Sequence, residues 1–223
     1  MYTRMVVTVP VLIVDYDAGN LRSVERALAH VGADPGISAD PAQIDAAAGV
    51  VLPGVGAAAD TMSKLRERRL VEPLREYIAS GRPFLGVCMG LQALLTSSEE
   101  GGHQQCMDIV PGTARHFGHS DLKVPHMGWN TVEWLRDHRM IEAIPTGSYF
   151  YFLHSFYPSV QDPAVALGET EYGVRFPSVI ACDNVVLTQF HPEKSGTHGL
   201  QLYRNFVTWV AEAANVPASA IHR

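Results

Sequence analysis

In the first hundred residues, apolar positions come in short unbroken runs, each closed by glycine or cysteine and followed by helical spacing. Val11 to Val14 is the first such run. Gly19 follows, and a helical pattern runs from Leu21 to Val31, with Gly32 as its stop. The same grammar returns at Gly49 to Leu52, with Pro53-Gly54-Val55-Gly56 as the turn and a helical segment to about Arg69. It returns again at Pro83 to Val87, with Cys88 at the turn and Met89 to Thr96 beyond. Uninterrupted strands alternating with helices predict a mostly parallel sheet covered by helices on both faces. After residue 112 the texture changes. Tyr149 to Leu153, Ala164 to Leu167, Val179 to Cys182 and Val185 to Gln189 are shorter runs between turn residues and predict further strands, some antiparallel. A last helix is expected from about Gly199 to Ala214, burying Leu202, Phe206, Trp209 and Val210. The expectation is a single α/β domain over residues 1–223, its core at about 11–214 between short terminal extensions, with no repeat, linker or low-complexity stretch.

Composition sharpens this picture. Of 223 residues, 47% are apolar and 18% charged, enough for a large core and too apolar for disorder. The net charge of −6 offers no basic field, which argues against nucleic acid and against a multiply phosphorylated substrate held by this chain alone. The three cysteines, Cys88, Cys106 and Cys182, are odd in number and scattered, which fits a reducing compartment better than a disulfide framework. Met5 to Val14 is too short to span a bilayer, contains Pro10 and runs into Asp15 and Asp17. It reads as a buried strand, so a cytoplasmic protein without a membrane partner is expected.

The chemistry concentrates at Gly86-Val87-Cys88-Met89-Gly90, which has the Gly-x-nucleophile-x-Gly spacing of a nucleophile elbow with cysteine as nucleophile. A buried strand precedes it and a helix follows, so the thiol would sit on a strained turn at a helix N-terminus, where a thiolate is favoured. Cys106 and Cys182 lack such a setting and read as structural. A thiolate that attacks a carbonyl needs a histidine and a group to orient it. Among ten histidines, His191 stands out: His191-Pro192-Glu193 directly follows the strand Val185 to Gln189, and residues two apart in extended chain face the same side. On its own His-Pro-Glu is a common loop sequence; its weight comes from the elbow. Oxyanion donors are expected from the N–H of Met89 and from the Val55 and Gly56 loop, which is no P-loop because it lacks the following Lys and Ser or Thr.

Gly86-Val87-Cys88-Met89-Gly90-Leu91-Gln92 together with Gln189-Phe190-His191-Pro192-Glu193 resembles the class I glutamine amidotransferases, whose triad is Cys, His and Glu in that order. Asp15 to Val24, Leu52 to Gly56, Lys123 to Asn130 and Tyr151 to Tyr157 are similar to the glutaminase subunits of imidazole glycerol phosphate synthases, and the likeness runs from about residue 11 to 210. The resemblance implies hydrolysis of glutamine through a thioester on Cys88, with no cofactor and no metal. It implies substrate contacts at Gln92 and Glu100, with His154, Ser155 and Phe156 lining the pocket. It also implies a partner, the cyclase (β/α)₈ barrel subunit, faced by Asn20, Lys123, Trp129, Asn130 and Lys194. Without the resemblance, Gln92 reads as a plain helix residue, Glu100 as solvated and His154 as a core histidine.

Two departures from the family pattern stand out. Gln105-Cys106-Met107-Asp108 replaces a Gly-Leu-Gly type run and reads as a surface loop variation; Ala57-Ala58 after Gly56 stands where a bulky aromatic is common. Three other functions share much of the pattern: a glutaminase feeding another synthase, a free-standing cysteine hydrolase of γ-glutamyl compounds, and a non-catalytic binding module. The Lys123 to Asn130 segment argues against the first, and the presence of Cys88, His191 and Glu193 against the last.

Overall fold

In the computed structural model, which describes residues 8–118 and 122–215, the chain alternates strand and helix through its first half. Strand β1 (Val9–Val14) leads to α1 (Leu21–His30), β2 (Ala33–Ser38) to α2 (Pro41–Ala46), and β3 (Gly49–Leu52) to α3 (Ala58–Glu67). Helix α4 (Val71–Ala79) precedes β4 (Phe84–Val87), and α5 (Met89–Leu94) follows it. Residues 5–7 of the expected first strand, and the chain ends 1–7 and 216–223, lie outside the described residues.

The second half is rich in strands: β5 (Leu95–Ser98), β6 (Gln104–Gln105), β7 (Val110–His116), β8 (His126–Trp134), β9 (Ser148–His154), β10 (Phe156–Val160), β11 (Ala166–Glu171), β12 (Arg175–Cys182) and β13 (Val185–Thr188), closed by α6 (Gly196–Ala213). The main sheet has nine strands in the order β2-β1-β3-β4-β13-β12-β11-β8-β9, and a smaller one runs β10-β7-β5-β6. From β2 to β13 neighbours are parallel; from β13 to β9 they are antiparallel.

The parallel half is specified by its side chains. Along β1, Val9, Val11 and Ile13 face one core and Leu12 and Val14 the other, because successive residues of a strand point to opposite faces. Helices α1 and α6 cover the first face with Val24, Leu28, Tyr203, Phe206 and Val210. Helices α2 to α5 cover the second with Ile44, Met62, Leu65, Leu74 and Leu91.

The structure departs from the sequence reading in several places, among them Leu95 and Thr96, which open strand β5 instead of closing the helix after Cys88. Ala164 lies in a 3-10 turn, Pro163–Val165, because the Asp162 carboxylate caps the Ala164 N–H at 2.9 Å; the strand begins at Ala166. Cys106 and Met107 are no surface loop but are buried in the second core, with their N–H groups bonded to Thr96 and Ala93 carbonyls. Trp209 is only half-buried, and Tyr203 and Val207 take the interior of α6 instead. Strand β2, which contains Pro35 and Gly36, was not expected; it tolerates the proline because it is the sheet edge.

Candidate active site

The carboxyl ends of β3, β4 and β13 lie side by side, and the turns that leave them hold the candidate residues. Cys88 follows β4 with φ 54° and ψ −101°, a conformation an L residue adopts only under constraint. Both flanking glycines are required. A Cβ on Gly86 would lie 2.9 Å from the Gly90 carbonyl oxygen, and one on Gly90 would lie 1.9 Å from the Leu52 carbonyl oxygen. The chain can therefore turn from β4 into α5 against β3 only without side chains at these positions.

His191 follows β13. Its Nδ1 donates to Glu193 Oε1 at 2.8 Å, while Nε2 is buried without a hydrogen-bond partner. That free nitrogen belongs to the residue that shares a cavity wall with Cys88. Burial pulls the imidazole toward neutrality, but the negative charge of Cys88 close by, reinforced by the bond to Glu193, outweighs burial and raises it to about 10. Glu193 is itself held by two further donors: Asn20 Nδ2 reaches Oε1 at 2.5 Å and Tyr203 Oη reaches Oε2 at 3.3 Å. Asn20, expected at a partner interface, thus has its amide committed to this carboxylate. Tyr203 was not singled out in the sequence, since a tyrosine on a buried helix face carries no signal of its partner.

A cavity of about 240 Å³ opens beside Cys88, walled by Val55, Gly56, Met89, Gln92, Glu100, Pro125, residues 153–156 and His191. Gln189 Nε2 donates to Cys88 Sγ at 3.6 Å, and Gln189 Oε1 accepts from Gln92 Nε2 at 3.2 Å. Gln92 Nε2 is shared with the Phe156 carbonyl at 3.1 Å, which leaves Gln92 Oε1 buried and unpartnered. Glu100 accepts the Ala58 N–H at 2.5 Å, capping α3 directly after the Gly56 turn. His154 reaches the cavity wall, but both its ring nitrogens are engaged, by His126 and by the Phe156 carbonyl. Ser155 and Phe156 complete that wall. The Met89 N–H points at the Gly54 carbonyl at 3.4 Å, so this expected oxyanion donor is occupied here, and Val55 and Gly56 form the rim beside it.

A strained thiol, a histidine with one free nitrogen, a sealed carboxylate and a pocket with an unpaired amide oxygen are the parts of a cysteine acyl-transfer site. The sequence matches the family model described as glutamine amidotransferase class-I over residues 12–209. The chain belongs to the class I glutamine amidotransferases. Within this family it is 47% identical to imidazole glycerol phosphate synthase subunit HisH of Chloroflexus aurantiacus, covering 89% of this chain and 95% of the relative. It is 49% identical to the subunit of that name from Herpetosiphon aurantiacus, covering 88% and 93%. The fold is shared with the structure of PurLQS from Thermotoga maritima, at a TM-score of 0.73 with 16% identity, over 91% of this chain and 99% of that one. The α/β fold read from the sequence is thus that of the class I amidotransferases, and the chain is an enzyme of that type.

The residues expected to face a partner of this amidotransferase divide into two groups. Trp129 is 56% exposed, and its ring meets Tyr151 edge to face at 6.1 Å; Lys194 Nζ lies 5.8 Å over the same Tyr151 ring. Trp129 and Lys194 thus meet at one tyrosine, whereas the Asn20 amide is bonded to Glu193. Lys123 is exposed on the approach to β8, its carbonyl accepting from Tyr172 Oη at 2.7 Å. Asn130 is half-buried and turned inward, donating to the Glu171 carbonyl at 2.9 Å and to His126 Nε2 at 3.3 Å. Among the described residues no helix is long and apolar enough to cross a membrane.

Proposed function

We propose that this chain is the glutaminase subunit of an imidazole glycerol phosphate synthase, with Cys88, His191 and Glu193 as its triad. The observation that carries the mechanism is the Cys88, His191 and Glu193 array with the free Nε2 of His191 beside the cavity. The Cys88 thiolate attacks the side-chain amide carbon of glutamine. The C–N bond then breaks as the imidazolium of His191 gives its proton to the departing ammonia. A γ-glutamyl thioester remains. His191, now neutral, takes a proton from water; the hydroxyl adds to the thioester carbon, glutamate leaves and the thiolate returns. Glu193, fixed by Asn20 and Tyr203, holds the imidazole in the tautomer with a proton on Nδ1 and stabilises its charged form. Gln92 Oε1 and Glu100 receive the polar groups of the substrate, and Ser155 and Phe156 shape the wall.

The tetrahedral oxyanion needs two donors. Rotation of the Gly54–Val55 peptide would release the Met89 N–H from the Gly54 carbonyl and bring the Val55 N–H toward the site. The Pro53 to Gly56 loop is then a switch that keeps the glutaminase quiet until a cyclase (β/α)₈ barrel subunit is docked and occupied. That partner consumes the ammonia and binds the phosphorylated substrate, in keeping with a net charge of −6 on this chain. The likeness to HisH subunits at 47% and 49% identity supports this assignment over a glutaminase for another synthase.

The test is glutamate release from glutamine by the chain alone, with a cyclase subunit, and with the cyclase plus its ribulosyl substrate or product, against Cys88→Ala. A steep rise only in the last condition, absent in the variant, is expected. Fast release that the cyclase does not change would keep the cysteine chemistry and remove the partner.

A further inference from the structure

A directed hydrogen-bond chain runs behind the glutamine pocket. His154 Nδ1 lies 2.8 Å from the Phe156 carbonyl, which can only accept, so Nδ1 carries the proton. Burial keeps His154 neutral, at about 3, and the bare Nε2 must then accept from its neighbour, His126 Nδ1, at 2.9 Å. Burial likewise lowers His126, to about 4, and its own bare Nε2 accepts from Asn130 Nδ2 at 3.3 Å. Each ring nitrogen in the chain therefore has one role, and the hydrogen bonds all point from Asn130 toward Phe156. His126 is clamped between Tyr172 and Phe152, at ring-centre distances of 3.9 and 4.8 Å, so its plane is fixed.

The Phe156 carbonyl at the end of this chain accepts twice, from His154 and, at 3.1 Å, from Gln92 Nε2. With Gln189 Oε1 on the other Nε2 hydrogen, this settles which way the Gln92 amide faces and leaves Oε1 free at the cavity. A reversed amide would set oxygen against oxygen at both contacts and would offer a bound glutamine a donor where it needs an acceptor.

We propose that His126, which does not line the cavity, is a positioning residue for glutamine binding: through His154 and the Phe156 carbonyl it fixes the Gln92 amide with Oε1 toward the substrate. This rests on the glutaminase reading of the site. The effect belongs to ground-state binding, so KM for glutamine moves and kcat moves less.

The experiment uses the chain in complex with the cyclase and its ligand. His126→Phe keeps the stacking and removes the Nδ1 donor; KM should rise about five- to tenfold, the weight of one buried neutral hydrogen bond. His126→Asn, whose amide nitrogen can occupy the Nδ1 position, should recover most of that loss. In a Gln92→Ala background His126→Phe should add nothing, because both changes act on one contact. Imidazole nitrogen NMR of the unaltered protein should show His154 protonated on Nδ1 and bare on Nε2. An unchanged KM in His126→Phe, full additivity with Gln92→Ala, or an Nε2-protonated His154 would each overturn the proposal. An unaltered complex that releases no glutamate would instead defeat the glutaminase reading beneath it.

Discussion

Glu193 is a carboxylate with a fully buried side chain and three donors, from His191, Asn20 and Tyr203. Donors on both of its oxygens stand in for the water that burial removes. The charge passes to His191, whose folded value of about 10 exceeds the ordinary 6.5, so folding takes up a proton at this site in the interval between. Its contribution to stability is therefore complete below about pH 6.5 and is lost as pH rises through about 10. Cys88 is the larger of the two raising influences. In Cys88→Ala the imidazole should titrate well below 10, as followed by histidine NMR, and the loss of stability should move to lower pH. A value still near 10 would mean that Glu193 alone holds the proton. The sequence pointed to the His191 and Glu193 pair because residues two apart in extended chain share a side. The same spacing, carried back to Gln189, marks the residue that touches Cys88. Asn20 and Tyr203 were hidden from such reasoning: they come from other elements, and nothing local in a chain reports what meets it across a core.

At the scale of elements, the site depends on how closely α6 packs against the turn that carries Glu193. A Cβ on Gly199 would lie 1.9 Å from the Pro192 carbonyl oxygen and 2.9 Å from Ser195 Cβ. Backbone cannot yield as a side-chain tip can, so Gly199→Ala should push α6 away from the Pro192–Lys194 turn. A cost of about 2 to 3 kcal/mol is expected in urea unfolding, together with loss of glutaminase activity. An unfolding midpoint equal to that of the unaltered protein would show that this contact relaxes freely. Elements of this kind differ in how far sequence reveals them. Strands β1, β3, β4 and β13 were legible because both faces are buried, so an unbroken apolar run between turn residues is all they can be. Strand β2 reads Ala-Asp-Pro-Gly-Ile-Ser and exists because β1 pairs with it; β8 alternates only loosely, with exposed Met127 and Trp129. Such strands are fixed by their neighbours rather than by their own pattern. Helices α2 and α4, short and polar on one side, escaped the same reading.

On the scale of the whole molecule, the antiparallel end of the sheet presents a face that a lone protein has little reason to keep. The register pairs Trp129 with Tyr151 and Thr131 with Tyr149, so Met127, Trp129, Tyr149 and Tyr151 project from one side of β8 and β9. Met127, Trp129 and Tyr149 are each more than half exposed, an apolar patch rather than a scatter of single residues. Lys194 lies over Tyr151, and the Tyr151 carbonyl accepts the His191 N–H at 2.9 Å, so pressure on this face reaches the histidine through one residue. An exposed tryptophan at the middle of such a patch is the form a binding anchor takes. Trp129→Ala should therefore weaken binding of the proposed cyclase partner about thirtyfold, roughly 2 kcal/mol, in titration calorimetry, with the melting temperature unchanged because the ring covers no core. Saturating cyclase should then restore stimulated glutamate release, since the variant lowers occupancy and leaves Cys88, His191 and Glu193 in place. Affinity within threefold of the unaltered chain would remove Trp129 from the interface. Full occupancy with release still low would make the ring a carrier of the docking signal instead of an anchor, with the Tyr151 carbonyl as its route to His191.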